Sequence, residues 1–511
     1  MSLLLLLRAF LGPFAIRSPL NLESFSFLLF AFAIISAKEP MWGGLLTRGR
    51  LSIGLSVVHC LCIGALTIAV YWRSIQTPFL FDDYTHLALA RSETWSAVVS
   101  RSLLTHPQGG DYFFRPLGYL SYWLDYRWAG ENAALWHGWN VLVHTINSLL
   151  VYALCRTLLL RPLSSLLAAA LFSVHASHVE VVCWMAARFD LLAFLFAILT
   201  LIALRRYVAT NRPTWLIAMA SACLLALLSK EAAFCLPLLA VCLIPFDPQS
   251  YRRTLKSAGV LAVVCCAVFV YRMWFLGGIG GYRASGGTPA ILNFSALRTA
   301  KALFYRQWAI LSWPVNWSLD LDSFLKFGFI LMAAASLLAV VYCRPKRAVF
   351  GACIALVLAA ALPAQQLLLI GADLSGARVL YLPTLGIALL WGVLFESSTK
   401  WQAGASVAGG LLFFQIAALE HNMTIWKDVA RLSHETCASF AQEIGSGEQS
   451  VRVRDLPRMR NGVFFLTNGF AECVGKPGRI IVDDGPQASF TWSDAASRIV
   501  PVDGSSPNKR K

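Results

Sequence analysis

The sequence predicts an all-α polytopic membrane protein of about eleven transmembrane helices, and three observations carry that expectation. Of its 511 residues, 57% are hydrophobic and 14% charged, against roughly 25% charged in ordinary globular proteins. The apolar residues gather into runs that approach the ~20 residues a spanning helix needs. The lysines and arginines fall in short clusters between those runs, as topology signals do. A soluble chain of this size would need more polar surface to cover its core. The formal charge of +16 therefore reads as topology and does not point to nucleic acid.

Candidate spans lie near 52–72, 138–160, 163–177, 189–205, 214–229, 232–246, 257–275, 324–343, 348–370, 380–396 and 402–419. Residues 1–45 form an apolar extension with stretches at 3–16 and 24–37, suited to one or two further spans, a hairpin or an interfacial helix. Its start, MSLLLLLRAFLGPF, has no basic residue before the leucines and no clear cleavage site, so it reads as retained. Residues 46–420 then form the membrane domain, including a first outer loop at 73–137, and residues 421–511 form a tail.

Orientation follows from the basic clusters. Arg48 and Arg50, Arg156 and Arg161, Arg205, Arg206 and Arg212, Arg252, Arg253 and Lys256, Arg344, Lys346 and Arg347, and Lys400 all fall on one side of an eleven-span bundle. That side should be cytoplasmic, in the plasma membrane or, in a bacterium, the inner membrane. The opposite side receives 73–137, 178–188, 230–231, 276–323, 371–379 and the tail, which hold most of the unusual polar residues.

The first outer loop opens with TPFLFDDYTHLALA. Asp82 and Asp83 follow the first span directly, where one carboxylate could take a proton as general base or the pair could hold a hard cation. The competing reading is a helix cap for a helix starting at Tyr84. Further on, Leu117, Leu120, Leu124 and Trp128 recur at helical spacing within an aromatic belt, which predicts an interfacial helix. Arg115 before Pro116 suits a phosphate or a lipid headgroup. His137, Asn140 and His144 share one helical face, which should turn into the bundle or a cavity; helix–helix hydrogen bonding is the simpler role.

In the later loops, His175, His178 and Glu180 stand close together but lack the i, i+4 histidine pair of a zinc helix, so substrate positioning or structure outranks metal ligation. Arg188 and Asp190, within one turn, are expected to pair with each other. Lys230 and Glu231 interrupt an apolar hairpin, and Arg378 lies between the ninth and tenth spans. Cations on the outer side run against the positive-inside trend and are candidates for an anionic ligand or for ion pairs. Arg298, Lys301 and Tyr305 mark a second interfacial helix. In the tail, VRVRDLP, GVFFLTNGF, GRIIVDD and ASFTWSD are short β-like runs broken by Gly, Pro and Asn. Cys437 and Cys473 would sit in an oxidising compartment and are candidates to pair. The other cysteines are scattered through apolar runs as small hydrophobes.

Together the motifs FDDYTHLA, FRPLGYL, HGWNVLVHTINSLLVYAL, VHASHVEVVCWMAARFDLLAF, LLSKEAAFCLPLL and ARVLYLPTLG resemble the GT-C superfamily of membrane glycosyltransferases. Within it they are most similar to the protein O-mannosyltransferase-like group and to the transmembrane-and-tetratricopeptide-repeat proteins with their bacterial relatives. They come in family order over roughly residues 52–430. The resemblance implies a GT-C-like bundle that moves a sugar from a polyprenyl-phosphate donor to a protein, lipid or glycan hydroxyl at the outer membrane face. It implies a catalytic carboxylate at Asp82 or Asp83, with Asp82 favoured, and donor-phosphate ligands at Lys230, Arg378 and Arg115. His137, His144, His175, His178, Glu180 and Glu231 become substrate-positioning candidates. No cofactor is required; a divalent cation on Asp82 and Asp83 is the one metal the motif would admit. Two departures stand out: no tetratricopeptide array follows the bundle, and WWDYG is lacking. The competing functions are a flippase or transporter of lipid-linked saccharides, against which the lack of an internal repeat speaks, and an inactive scaffold.

Overall fold

The computed structural model describes residues 49–502, apart from 105–112, 159, 283–288, 290–291, 293–294, 446–449, 484 and 486. The N-terminal extension 1–45 and the SSPNKRK end lie outside the described residues. Each of the eleven expected segments is helical over most of its length. They are α1 (Gly49–Tyr71), α4 (Ala133–Thr157), the broken pair α5 (Pro162–Ser173) and α6 (Val179–Cys183), and then α7 (Arg188–Thr210), α8 (Pro213–Ser229), the 231–246 segment around α9 (Leu236–Cys242) and α10 (Tyr251–Leu276). The last four are α11 (Ser323–Tyr342), α12 (Arg347–Ala361), α13 (Thr384–Glu396) and α14 (Trp401–Glu443). Among the described residues, seven helices are long and apolar enough to cross a membrane, or eight if the α5–α6 pair, bent by 41°, counts as one span. The segments 213–229, 231–246 and 384–396 are apolar but shorter. The chain is an integral multi-pass membrane protein.

The helix boundaries are written locally. Pro162 and Pro213 stand at first-turn positions, where the missing N–H costs nothing. Asn132 and Asp322 cap α4 and α11 by accepting from Leu135 N and Leu325 N. Asn211 and Gly277 end α7 and α10 in the left-handed conformation. α7 packs between α4 and α8, and α11 lies along α14.

Two further helices lie in the first outer loop: α2 (Asp82–Ser92) and α3 (Pro116–Ala129). α3 has two unlike faces, with Trp128 83% exposed on one and Tyr122 and Asp125 buried on the other. Residues 296–312 are helical around a π turn at Ala302–Arg306, burying Leu303 and Leu311 and exposing Leu297 and Tyr305.

The helix α14 has 43 residues. At ~1.5 Å per residue it is about twice as long as the ~30 Å hydrocarbon core is thick. It runs straight past residue 421, where the sequence places the start of the tail. Its protruding half carries a small β module in which Phe440 packs on Phe470 and Phe490. The β-like runs become strands: β1 (Val451–Arg454), β2 (Met459–Arg460), β3 (Val463–Phe464), β4 (Ile480–Val482), β5 (Phe490–Ser493) and β6 (Arg498–Pro501), with α15 (Phe470–Cys473) after β3. The main sheet has order β4-β1-β5-β6, with β1 parallel to both neighbours and β5 antiparallel to β6. Cys437 of α14 is disulfide-bonded to Cys473 of α15, with 5.8 Å between the Cα atoms.

The segments assigned to the outer side meet one another. Asp83 bonds Ala186 N, Glu180 bonds Arg378, Arg115 bonds Glu231, and Asn468 bonds Asp82. The segments assigned to the opposite side also meet one another: Arg205 reaches Asp247, Arg161 reaches Glu396, and Arg344 N bonds Ser397 O.

Candidate active site

Asp82 and Asp83 open α2 but have separate environments. Asp83 is fully buried and accepts from Leu80 N at 3.0 Å and Ala186 N at 2.9 Å. One carboxylate oxygen ties the backbone three residues back, and the other joins this loop to the 178–188 segment. Burial pushes its carboxyl well up, against the pull of those two amides. The cap expected for a helix starting at Tyr84 is not formed: the helix starts at Asp82, and the Asp83 bond runs back to the residue before Phe81. Asp82, partly exposed, accepts only one described bond, from Asn468 Nδ2 at 2.9 Å. Burial raises its carboxyl above the ordinary range, and Asn468, Arg378 and Arg458 draw it only partly back.

The turn into this helix is strained. Phe81 has φ 54° and ψ −119°, a region that costs a non-glycine residue about 1–3 kcal/mol. Its ring stacks on Phe464 at 4.9 Å, and the Asp83 bond to Leu80 N ties the backbone on the other side. Strain held by packing on two sides aims Asp82 away from the pocket that swallows Asp83.

The three cations expected to bind phosphate lie together, each beside a carboxylate. Lys230 Nζ bonds Asp190 at 2.7 and 2.6 Å. Arg115 makes a forked pair with Glu231, its Nε 3.0 Å from Oε2, and lies 4.2 Å over the Phe113 ring. Arg378 pairs with Glu180 through its side chain and through its backbone N at 2.9 Å. Its guanidinium sits over Trp184 and Phe464 and lies 3.4 Å from the Tyr282 hydroxyl. Burial pushes the Tyr282 phenol up, but the charges of Arg378, Arg115 and Lys230 outweigh it and bring the phenol below its usual value. Burial likewise pushes Arg115 and Arg378 down, and their carboxylate partners hold both above the ordinary arginine value.

Tyr282, Lys230, Glu231 and Asp190 line a cavity of about 480 Å³ whose remaining wall is mostly apolar. The same cavity is lined by Arg272, which is 94% buried and whose Nε has no hydrogen-bond partner among the described residues. Arg272, absent from the residues the sequence singles out, stands near the end of α10, a lone cation in an apolar stretch as Lys230 is.

The remaining candidates hold the bundle together. His144 bonds the Tyr381 hydroxyl and Ser173 O, His175 bonds Ser177 and Leu311 O, and His178 bonds Thr384. His137 is buried beside Phe79. Asn140 bonds Trp184 O and Arg188. Glu180 and Glu231 are counter-ions, as described. The expected Arg188–Asp190 pair is not formed. Residues two apart on a helix point to different faces, so Arg188 pairs with Asp125 while Asp190 turns to Lys230. Among the described residues no cluster of three His, Cys, Asp or Glu side chains is placed to hold a metal ion.

Comparison with known proteins bears on a part of the chain that includes Glu180, Asp190, Lys230, Glu231 and Arg272. Residues 116–274 match the family described as dolichyl-phosphate-mannose-protein mannosyltransferase. The Protein O-mannosyl-transferase Tmtc1 of Drosophila melanogaster is 31% identical over 177 residues, which is 33% of this chain and 20% of that protein. Tmtc2 of the same organism is 30% identical over 210 residues, covering 38% of this chain and 22% of its own length. Over these stretches the chain is similar to protein O-mannosyltransferases. The matched stretch spans about a fifth of the length of these relatives. Among solved structures, ArnT from Cupriavidus metallidurans bound to undecaprenyl phosphate is 15% identical, with a TM-score of 0.37, over 86% of this chain and 87% of that one. Its apo structure gives a TM-score of 0.40 at the same identity, over 83% and 85%.

Proposed function

We propose that this chain is a GT-C glycosyltransferase that transfers a sugar from a polyprenyl-phosphate-linked donor to an acceptor hydroxyl at the outer membrane face, with Asp82 as general base. One observation carries the reading: the aspartates divide their labour. Asp83 accepts from two backbone amides, whereas Asp82 is raised by burial and feels the charge of Arg378, which itself lies beside Tyr282 of the cavity wall. A carboxylate of raised pKa is a stronger base for an alcohol.

The reaction closes on these groups. The acceptor O–H gives its proton to Asp82 as its oxygen bonds the anomeric carbon. The bond from that carbon to the phosphate oxygen breaks, and its electron pair leaves with polyprenyl phosphate. That developing charge needs cations aimed at it in a site shielded from water. Lys230, Arg115 and Arg378 are already matched by Asp190, Glu231 and Glu180, so the surplus positive charge on the cavity wall belongs to Arg272. Arg272 with Lys230 is therefore assigned to the donor phosphate, and Arg378 to the space between phosphate and base. The apolar remainder of the cavity suits the lipid side of such a donor.

On this reading the membrane body makes eleven crossings, with the site, the first loop and the β module outside the cell or organelle lumen-side, and the basic clusters in the cytoplasm. The test uses purified protein with radiolabelled polyprenyl-phosphate mannose and a mixture of serine- and threonine-rich peptides, counting label passed to peptide or to water. Asp82→Asn should abolish donor cleavage while the protein keeps its thermal midpoint. Sugar crossing sealed vesicles without any donor cleavage would instead identify a transporter.

A further inference from the structure

We infer that the C-terminal module is part of the active site, and that Asn468 is a positioning residue for Asp82. The inference rests on the reading of Asp82 as base and extends it to a segment in which the sequence shows no catalytic motif. Asn468 Nδ2 donates to Asp82 Oδ1 at 2.9 Å, across 386 positions of chain. It is the one described hydrogen-bond donor to that carboxylate. The amide fixes one oxygen and leaves the other to meet a hydroxyl.

The segment that presents Asn468 is fitted to the membrane domain, not draped over it. Gly469, at φ +68°, comes so near the turn that a Cβ there would lie 2.5 Å from Phe81 O. Only glycine has both the conformation and the room. Phe464 packs between the Phe81 ring and the Arg378 guanidinium. Asn461 O accepts from Asn316 Nδ2 at 2.8 Å. Five residues after Asn468, the disulfide from Cys473 to Cys437 fastens the segment to α14, which itself rises from the membrane bundle. The base is thus held between two parts of the chain: Asp83 anchors its helix from below, and Asn468 holds its oxygen from above.

A hydrogen bond to the ionised carboxylate lowers its pKa. Removing the amide therefore raises the pH at which Asp82 becomes competent. In the donor-cleavage assay, Asn468→Ala should move the acid limb of kcat upward by about 0.5–1 pH unit. Asn468→Asp, of the same shape but with a like charge beside Asp82, should move it further. KM for the donor should stay within about twofold in both, because the amide does not face the cavity. Gly469→Ala, which must push the segment off Phe81, should lower kcat about tenfold at neutral pH with the same KM. A purely structural role would lower activity without ordering the acid limbs as wild type, Ala, Asp. The inference is overturned if the limbs of both Asn468 variants coincide with wild type while Asp82→Asn is inactive. If Asp82→Asn itself remains active, the reading of Asp82 as base fails, and the inference fails with it.

Discussion

Replacing Asp83 by Ala tests the division of labour from the side that should not touch chemistry directly. The substitution leaves Leu80 N and Ala186 N without their acceptor inside a fully buried pocket. Hydrogen bonds to a charged partner contribute ~1.5–3 kcal/mol each. Burial disfavours the ionised form of Asp83, so the lower end applies, and two bonds come to about 3 kcal/mol. That is a large share of the ~5–15 kcal/mol by which folded domains are stable. The strained Phe81 turn would also lose one of the two contacts that hold it. Thermal unfolding of the purified protein in detergent should show a midpoint lower by roughly 5 °C. Below that temperature Asp83→Ala should retain measurable donor cleavage, because Asp82 is still present. An unchanged midpoint would refute the assignment of Asp83 to structure, and so would a variant that is fully stable yet inactive.

Four other expectations follow from named contacts. Lys230→Ala strands Asp190 in the bundle and should cost about 3–5 kcal/mol, recovered in large part by adding Asp190→Asn; calorimetric midpoints of the single and double variants check it. Arg272→Gln removes the surplus charge of the cavity without breaking a described ion pair, so KM for the donor should rise about tenfold with little change in midpoint. Because burial raises the Asp82 carboxyl, donor cleavage should fall as the pH drops through a value above the ordinary carboxylate range and recover at higher pH, as a pH profile of kcat would show. Replacing Cys437 and Cys473 by Ser opens a 36-residue loop, should cost about 3–4 kcal/mol in a chain-entropy account, and should lower kcat through Asn468; unfolding curves and donor cleavage report the two effects.

The bundle was legible because apolar runs and basic clusters each report topology without needing tertiary partners. The residues proposed for the site stand out in the sequence where a motif is local, as with Asp82 and Asp83, or where a cation interrupts an apolar stretch, as with Lys230. What the residues around them do was less legible, because it depends on partners far away in sequence. Nothing near Asp83 announces Ala186, and nothing in TNGF announces that Asn468 reaches Asp82. The histidines illustrate the same limit: His144 and His178 meet Ser173 O, Tyr381 and Thr384 inside the bundle, partners that their spacing does not name. The Arg188–Asp190 expectation failed on helix geometry, which was available in the sequence. Arg272 was available too, as a lone cation in an apolar stretch. In the tail only the part after α14 forms short strands, and its packing against the Phe81 turn depends on the long α14 and the Cys437–Cys473 link, which no local pattern announces.

The most direct measurement is kcat for donor cleavage by Asp82→Asn beside wild type, in protein with matched unfolding midpoints. Loss of a general base costs about 10²–10⁴ in rate, and the account predicts a fall in that range. Cleavage within about threefold of wild type, below any general-base effect, would contradict it.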